Sequence, residues 1–216
     1  MASRIGAVRG DVVGIEIVDR GGGQAVDELV VDLPGAELVD LLVSEVTAVD
    51  GVAVEEVRVA TDVCRDPRLD ALEMVAALVA ATTEGALFQR LAEEVRRAAR
   101  AGWVAVVTPD RVGAGVGPVP AWPWLRAFVD GSPSSEPSGT GPGGPDEVAW
   151  APMASAGCTV VLGRPGRPVR GKERRQLEAL ARIADARWAD LARGSAGGAP
   201  VGWQDRKGAR PHQEAG

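Results

Sequence analysis

The sequence is nearly devoid of histidine, since His212 is the only one among 216 residues. A histidine general base, a Ser-His-Asp triad and a histidine-rich metal site all need imidazoles that this chain does not have. Carboxylates at outward or alternating strand positions remain as acid–base candidates: Asp27, Glu28, Asp32, Glu55 and Glu56. A solvated sheet face is the ordinary explanation of such positions. The sequence therefore predicts that this chain is not an enzyme.

Cysteine is scarce as well, with Cys64 and Cys158 the only two and no paired spacing. They give neither a disulfide framework nor a zinc site, and isolated thiols are typical of a reducing compartment. The N-terminus MASRIGAVRG lacks the charged-then-apolar order of a signal peptide, and no apolar run approaches the roughly 18 residues that cross a bilayer. We expect a cytoplasmic protein with no membrane partner, metal or cofactor.

Basic charge is in deficit, because the formal net charge is −6 at pH 7. Nucleic acid is bound mainly through basic side chains at its phosphates, so we expect no nucleic-acid partner. One basic cluster nevertheless falls between a predicted strand and a predicted helix: Arg164, Arg167, Arg170, Lys172, Arg174 and Arg175. A solvated helix entrance is the favoured interpretation, and an anion site at the helix N-terminus is the alternative.

The N-terminal quarter has the periodicity of strands and helices in a definite order. Val13, Ile15 and Ile17 alternate with polar or smaller residues, which predicts a strand. After Gly21-Gly22-Gly23, the run AVDELVVDLP predicts a returning strand, and therefore a hairpin. Four apolar residues then follow at helical spacing: Leu38, Leu41, Leu42 and Val49. The segment VAVEEVRVA predicts a third strand over residues 52–59.

This order, with AVDELVVDLPG as the second strand, resembles the last four elements of an ACT domain. The resemblance implies a ferredoxin-like antiparallel sheet over residues 1–61, regulatory binding of an amino acid, and paired domains. The family's first strand and its glycine-bearing ligand loop have no counterpart, so no ligand residue transfers, and residues 3–8 look like the end of a helix. We expect the true N-terminus to be missing. Strands 26–33 and 52–59 would then close up, recruit a partner's strand or leave the domain unstable.

A second domain is predicted after a polar linker at residues 62–67. Five apolar residues of its first helix are predicted to lie on one face of that helix: Leu69, Leu72, Val75, Ala76 and Val79. Four apolar residues of the second helix are likewise predicted to lie on one face of it: Leu87, Leu91, Val95 and Ala98. A terminal helix is predicted over residues 171–193, with an apolar stripe along one side that should pack against the first two helices. The stripe consists of Leu177, Leu180, Ala181, Ala184, Trp188 and Leu191.

Between these helices the sequence predicts strands at WVAVV, EVAWAPM and CTVVLGR, and a short helix over residues 123–129. GAGVG, residues 113–117, has no Lys-Ser/Thr after it, which favours a plain turn over a phosphate loop. Residues 130–146 are too poor in apolar side chains to pack and predict a mobile loop. Residues 194–216 lack periodicity and predict a disordered tail.

The strand ending in APM, the strand VVLGR and the final helix ERRQLEALARIADARW resemble a GAF domain. This resemblance implies an α/β sandwich over residues 68–193, with helices on one sheet face and a small-molecule pocket on the other. The predicted sheet has few strands, so we expect that pocket to be shrunken or absent. The expected fold class is α+β, a truncated ferredoxin-like (ACT-like) sheet followed by a GAF-like domain.

Four of the six tryptophans fall in the GAF-like strands or in the segment that should cover them: Trp103, Trp122, Trp124 and Trp150. Two interpretations stay open, a satellite core beneath the loop and an apolar ligand pocket. We expect Trp122 and Trp124 to fold over the sheet, and Trp103 to be the most buried of the four.

Two functions are consistent with the sequence. One is a regulatory, non-catalytic module that binds a small molecule, with an amino acid as the expected ligand. The alternative is a structural protein that uses its sheet for dimerisation and binds no ligand. A homo-oligomer is expected in both cases, because the strand at residues 11–19 would be an edge strand with few charges to block pairing.

Overall fold

The computed structural model describes residues 1–21, 24–59, 66–131 and 147–196. The fold is α+β, with two antiparallel sheets and helices, as the sequence predicts. The N-terminal elements are α1 (Ala2–Ala7), β1 (Asp11–Gly21), β2 (Gln24–Asp32), a 3-10 turn (Ala36–Leu38) and α2 (Val39–Thr47). The remaining elements are α3 (Pro67–Val79), α4 (Glu84–Ala99), β3 (Trp103–Val107), β4 (Val112–Val116), α5 (Trp122–Gly131), β5 (Val148–Met153), β6 (Cys158–Gly163) and α6 (Gly171–Ala196).

The predicted hairpin is confirmed. β1 and β2 pair antiparallel, with Ile15 opposite Leu29. α1 packs against the base of this hairpin through Ile5, which is buried. The approach is so close that a Cβ on Gly10 would lie 3.0 Å from side-chain atoms of Ile5 and Val31. A residue without a side chain therefore allows the helix to turn directly into the strand.

The predicted third strand is wrong, because residues 52–59 pair with no strand among the described residues. Apolar and charged residues do alternate in this segment, but its acidic side chains pair with arginines. Glu55 contacts Arg170, and Glu56 contacts Arg167. Alternation predicts an extended backbone, and it does not supply the ladder partner that makes a strand. Strands 26–33 and 52–59 therefore do not close up, and the N-terminal sheet has two strands.

The C-terminal part is built around a four-stranded antiparallel sheet in the order β4-β3-β6-β5. One face of the sheet packs against α4 and α6, on which α3 packs in turn, and the fully buried Leu87, Leu91 and Val160 lie in this main core. The apolar stripes predicted on the second and the terminal helix both contribute to it, which confirms them. The opposite face is covered by α5, whose Leu125 is fully buried.

The predicted apolar face of α3 exists, but it does not join the core. Leu69, Leu72 and Val79 are 54%, 67% and 51% exposed, whereas Met74 and Leu78 on the other side of the helix are buried. α3 is apolar on two opposite sides, so its periodicity indicates a helix without indicating which side joins the core. The side with Leu69, Leu72 and Val79, which has more large apolar residues than the other, faces solvent.

The glycine-rich run after β3 is a strand, and the prediction of a plain turn is wrong. β4 pairs with β3 and forms one edge of the sheet. A Cβ on Gly113 would lie 3.1 Å from the ring of Phe88, so the absence of a side chain lets α4 approach the strand. Gly117, with φ of +83°, ends the strand in a conformation that favours glycine.

The remaining boundaries differ slightly from their predictions. α5 includes the first two residues of the predicted loop, and α6 includes the first three of the predicted tail. Residues 60–65, 132–146 and 197–216, with Cys64 and His212, lie outside the described residues.

Asp66 caps α3 by accepting from the Arg68 amide at 2.9 Å. No helix in the described part combines the length and the apolar content needed to cross a membrane.

Candidate functional site

The tryptophan cluster lies on the sheet face that α5 covers. Trp103 on β3 and Trp150 on β5 lie on this face, and α5 brings the remaining aromatic rings onto it. The Trp103 and Trp124 ring centres are 6.1 Å apart and nearly perpendicular. Trp124 stacks on Phe128 at 5.3 Å, and Phe128 meets the edge of Trp150 at 5.3 Å. These are favourable aromatic geometries, and they link the sheet and the helix in one chain of rings.

Burial within the cluster follows the prediction. Trp103 is 6% exposed and Trp150 is 8% exposed, whereas Trp122 is half-buried and Trp124 is 46% exposed. Trp103 is therefore the most buried, and both tryptophans of α5 fold over the sheet as expected. The sequence analysis missed Phe128, which links Trp124 to Trp150. Its i, i+4 spacing from Trp124 on a predicted helix was the available signal.

A glycine on the neighbouring strand positions Trp103. Gly163 lies directly opposite Trp103 in the β3–β6 ladder, and a Cβ there would overlap the indole ring. The indole therefore occupies the space that a side chain at Gly163 would fill. Leu125 of α5 lies in the same buried cluster as Val161 and Ala105. The sheet face is consequently filled by protein side chains.

This packing decides what the cluster can do. Leu125 and the rings occupy the position at which the GAF resemblance implies a small-molecule pocket. The described residues do contain an open groove of about 440 Å³, but it lies at the C-terminal end of α4 and is lined by Glu93, Arg96, Arg97, Arg100, Ala101 and Val116. In the cluster, the half-exposed ring of Trp124 is the surface most open to a ligand.

Four of the six side chains of the basic cluster after β6, those of Arg164, Arg167, Arg170 and Lys172, face carboxylates. Arg167 pairs with Glu56 and Arg170 with Glu55, both at 2.6 Å, and Lys172 pairs with Glu16. Cations that already face carboxylates do not form a preorganised anion site. The solvated helix entrance is therefore the better interpretation of this loop, and its charges link the N-terminal segment to the start of α6.

Glu28, another of the candidate carboxylates, also has a structural explanation. It lies opposite Glu16 in the hairpin, where two like charges repel each other. Arg58 pairs with Glu28 and Lys172 pairs with Glu16, so each carboxylate faces a cation. The described residues contain no cluster of acidic, cysteine or histidine side chains able to hold a metal.

Arg164 is the one buried charged residue of the described structure, and it has a built set of partners. Its guanidinium forms a two-pronged pair with Glu173 at 2.5 and 2.6 Å, and it donates to the Ala99 carbonyl at 2.9 Å. Glu173 also accepts from the Arg170 amide at 2.8 Å. This arrangement ties the end of α4 to the first turn of α6, and its role is structural.

The Cys158 thiol is buried beside the helices of the main core. Burial, and secondarily the charges of Asp185 and Glu84, raise its pKa to about 12. A thiol with such a pKa is protonated near neutral pH and is a poor nucleophile. Cys158 is therefore a packing residue.

Exposed aliphatic side chains form the other unusual feature of the surface. They lie on β1, α2, α3 and the segment before α3: Val13, Ile15, Ile17, Leu41, Val54, Val57, Val59, Leu69, Leu72 and Val79. Most of them belong to the apolar sides of the strands and helices that the sequence predicts. Comparison with protein-family models, with curated proteins and with solved structures found no match to this chain, so its ACT-like and GAF-like parts stay predictions.

Proposed function

We propose that this chain is a non-catalytic module whose function is association with a second copy of itself. The observation that carries the proposal is the concentration of exposed aliphatic side chains on β1 and α3, where Ile15 and Leu72 are 68% and 67% exposed. Single exposed leucines are ordinary, but several on one element mark an interaction surface.

The chemistry of the described residues supports a role without catalysis. The carboxylates Glu28, Glu55 and Glu56 are engaged by arginines, and the Cys158 thiol is protonated. A general acid–base pair needs titrating groups that converge on an open cleft. The groups described above instead hold elements of the fold together.

Regulatory binding of a small molecule is the second candidate, and Trp124 favours it. A tryptophan that is 46% exposed, with its ring stacked on Phe128, offers an apolar surface to a ligand. An amino acid is the proposed ligand because the N-terminal segment resembles an ACT domain. Binding would have to displace α5 or use its outer surface, since Leu125 fills the space beneath.

Sedimentation equilibrium of the full chain, together with thermal-shift measurements against the standard amino acids, tests both candidates. Self-association predicts a mass that rises from monomer to dimer between about 1 and about 100 µM protein, with no amino acid altering the melting temperature. A constant monomer mass would refute the proposal.

The ligand candidate predicts a different result. A ligand at about 100 times its dissociation constant adds roughly 2.7 kcal/mol to stability, which gives a clear thermal shift. Trp124→Ala should abolish that shift if the ligand binds at the cluster. Arg90→Ala, which changes an exposed ion pair with Glu93, is the matched control and should leave the shift intact.

A further inference from the structure

The exposed side of α3 has the spacing of a coiled-coil seam. Leu69, Leu72, Ala76 and Val79, which we call the α3 seam, repeat at intervals of three, four and three residues. Those intervals place them at successive a and d positions of a heptad. All four are exposed, and the buried Met74 and Leu78 lie on the opposite side of the helix. The seam thus points directly away from the body of the domain.

The sequence outside the described residues is poor in large apolar side chains. The stretches outside the described residues are 22–23, 60–65, 132–146 and 197–216, and their larger apolar side chains are those of Val63, Val201 and Trp203. Residues 132–146, the longest internal stretch, consist of Ser, Pro, Gly, Thr, Glu and Asp. Such a composition cannot bury enough apolar surface to pack on a leucine seam. A second copy of the α3 seam, with its two leucines and a valine, matches this surface better than any of these stretches.

The charges beside the seam indicate which chain. Arg68 occupies the g position before Leu69, and Glu73 occupies the e position after Leu72. In a parallel pair of helices, a g residue faces the e residue five positions later on the other helix, so Arg68 of each copy faces Glu73 of the other. Both side chains are exposed, and neither makes an ion pair with the residues that the structure describes.

We propose that the α3 seam pairs in parallel with the α3 seam of a second copy, about a two-fold axis that runs along the helices. An antiparallel pair is disfavoured because it would bring the two copies of Glu73 together near the middle of the interface. The proposal rests on self-association as the proposed function, and it names the surface, the partner and the orientation.

The pairing is expected to be reversible. α3 has 13 residues and is therefore about 20 Å long. A helix of this length is too short to bury by itself the roughly 1,200 Å² of a stable interface, so we expect dissociation in the micromolar range. Polar residues limit the seam at its start, because Asp62 and Arg65 occupy the preceding a and d positions in the sequence.

Sedimentation equilibrium of full-length Leu72→Glu tests the surface. A carboxylate in the middle of the seam should raise the dissociation constant by at least about 100-fold and give a monomer. Leu41→Glu, at a leucine of α2 that is also exposed, is the matched control and should still dimerise. Urea unfolding of both variants verifies that they fold. Leu72→Glu that dimerises like the natural sequence overturns the inference and leaves self-association standing, whereas a monomeric natural sequence refutes both.

Charge reversal tests the partner and the orientation. Arg68→Glu and Glu73→Arg should each weaken self-association by about 10-fold, since each creates like charges across the interface. An equimolar mixture of the two variants should form a heterodimer with affinity near that of the natural sequence, because both contacts become complementary. A mixture that associates no better than the separate variants overturns the parallel pairing.

Discussion

Arg164→Ala is expected to destabilise the fold, because it removes one partner of a buried ion pair. The guanidinium is buried between the end of α4 and the start of α6, with its side chain 6% exposed and that of Glu173 18% exposed. Its removal leaves the Glu173 carboxylate without a cation in a mostly buried site. It also removes the hydrogen bond to the Ala99 carbonyl, which α4 itself does not satisfy at its C-terminus.

The magnitude follows from the unpaired charge. Removing one partner of a buried ion pair costs about 3–5 kcal/mol, mainly because the other charge stays desolvated. Glu173 retains some contact with water and keeps the Arg170 amide as a donor, so we expect the lower end, about 3 kcal/mol. The paired replacement Arg164→Met with Glu173→Leu should cost clearly less than the sum of the single changes, because no buried charge remains.

Urea unfolding followed by circular dichroism measures these differences. Arg90→Ala is the control, because Arg90 and Glu93 form an exposed pair at 3.5 Å whose loss should cost less than about 1 kcal/mol. A loss for Arg164→Ala as small as that of Arg90→Ala would refute the assignment of Arg164 as the buried tie between the two helices.

Four further predictions follow from individual side chains. In a Cys64→Ser background, alkylation of native Cys158 at pH 8 should be at least about 100-fold slower than in urea, because burial raises its pKa from 9.0 to about 12. Above about pH 9 the unfolded state loses the Cys158 proton, whereas the folded state keeps it. The free energy of unfolding measured by urea titration should therefore fall as pH rises from about 9 towards about 12. A free energy of unfolding that does not change over this range would contradict the prediction. Gly163→Ala should cost about 1–3 kcal/mol and shift tryptophan emission to longer wavelength, because a methyl group displaces the Trp103 indole. Thr83→Ala should cost about 1 kcal/mol in the same unfolding assay, because the Ala86 amide donates to the threonine hydroxyl at the start of α4, whereas Thr83→Ser should be nearly neutral.

Much of the local structure could be predicted because it depends on neighbouring residues. The alternation around Ile15 with its glycine turn predicts the hairpin, and the stripes on α4 and α6 predict both the helices and their buried sides. In α4 only one side is apolar, so periodicity indicates the buried face without ambiguity. The association of Trp103, Trp124 and Trp150 could also be predicted, because two lie on strands and the third on the segment that had to cover them.

The tertiary structure decided the features that depend on which surface meets which. Residues 52–59 have the alternation of a strand, but a strand requires a neighbour with free ladder groups, and the charges of Glu55 and Glu56 pair instead with arginines near the start of α6. β4 gained such a neighbour in β3, so a glycine-rich run with little strand propensity became part of the sheet.

α3 shows the same division between sequence and structure most clearly. By itself, the sequence determined that a helix follows the linker and that Leu69, Leu72 and Val79 share one of its faces. The tertiary structure decided that Met74 and Leu78 enter the core while Leu69 and Leu72 remain exposed. The physical reason is that hydrophobic burial has no direction of its own: either side of α3 would gain from leaving water, and the fit against α4 and α6 selects one.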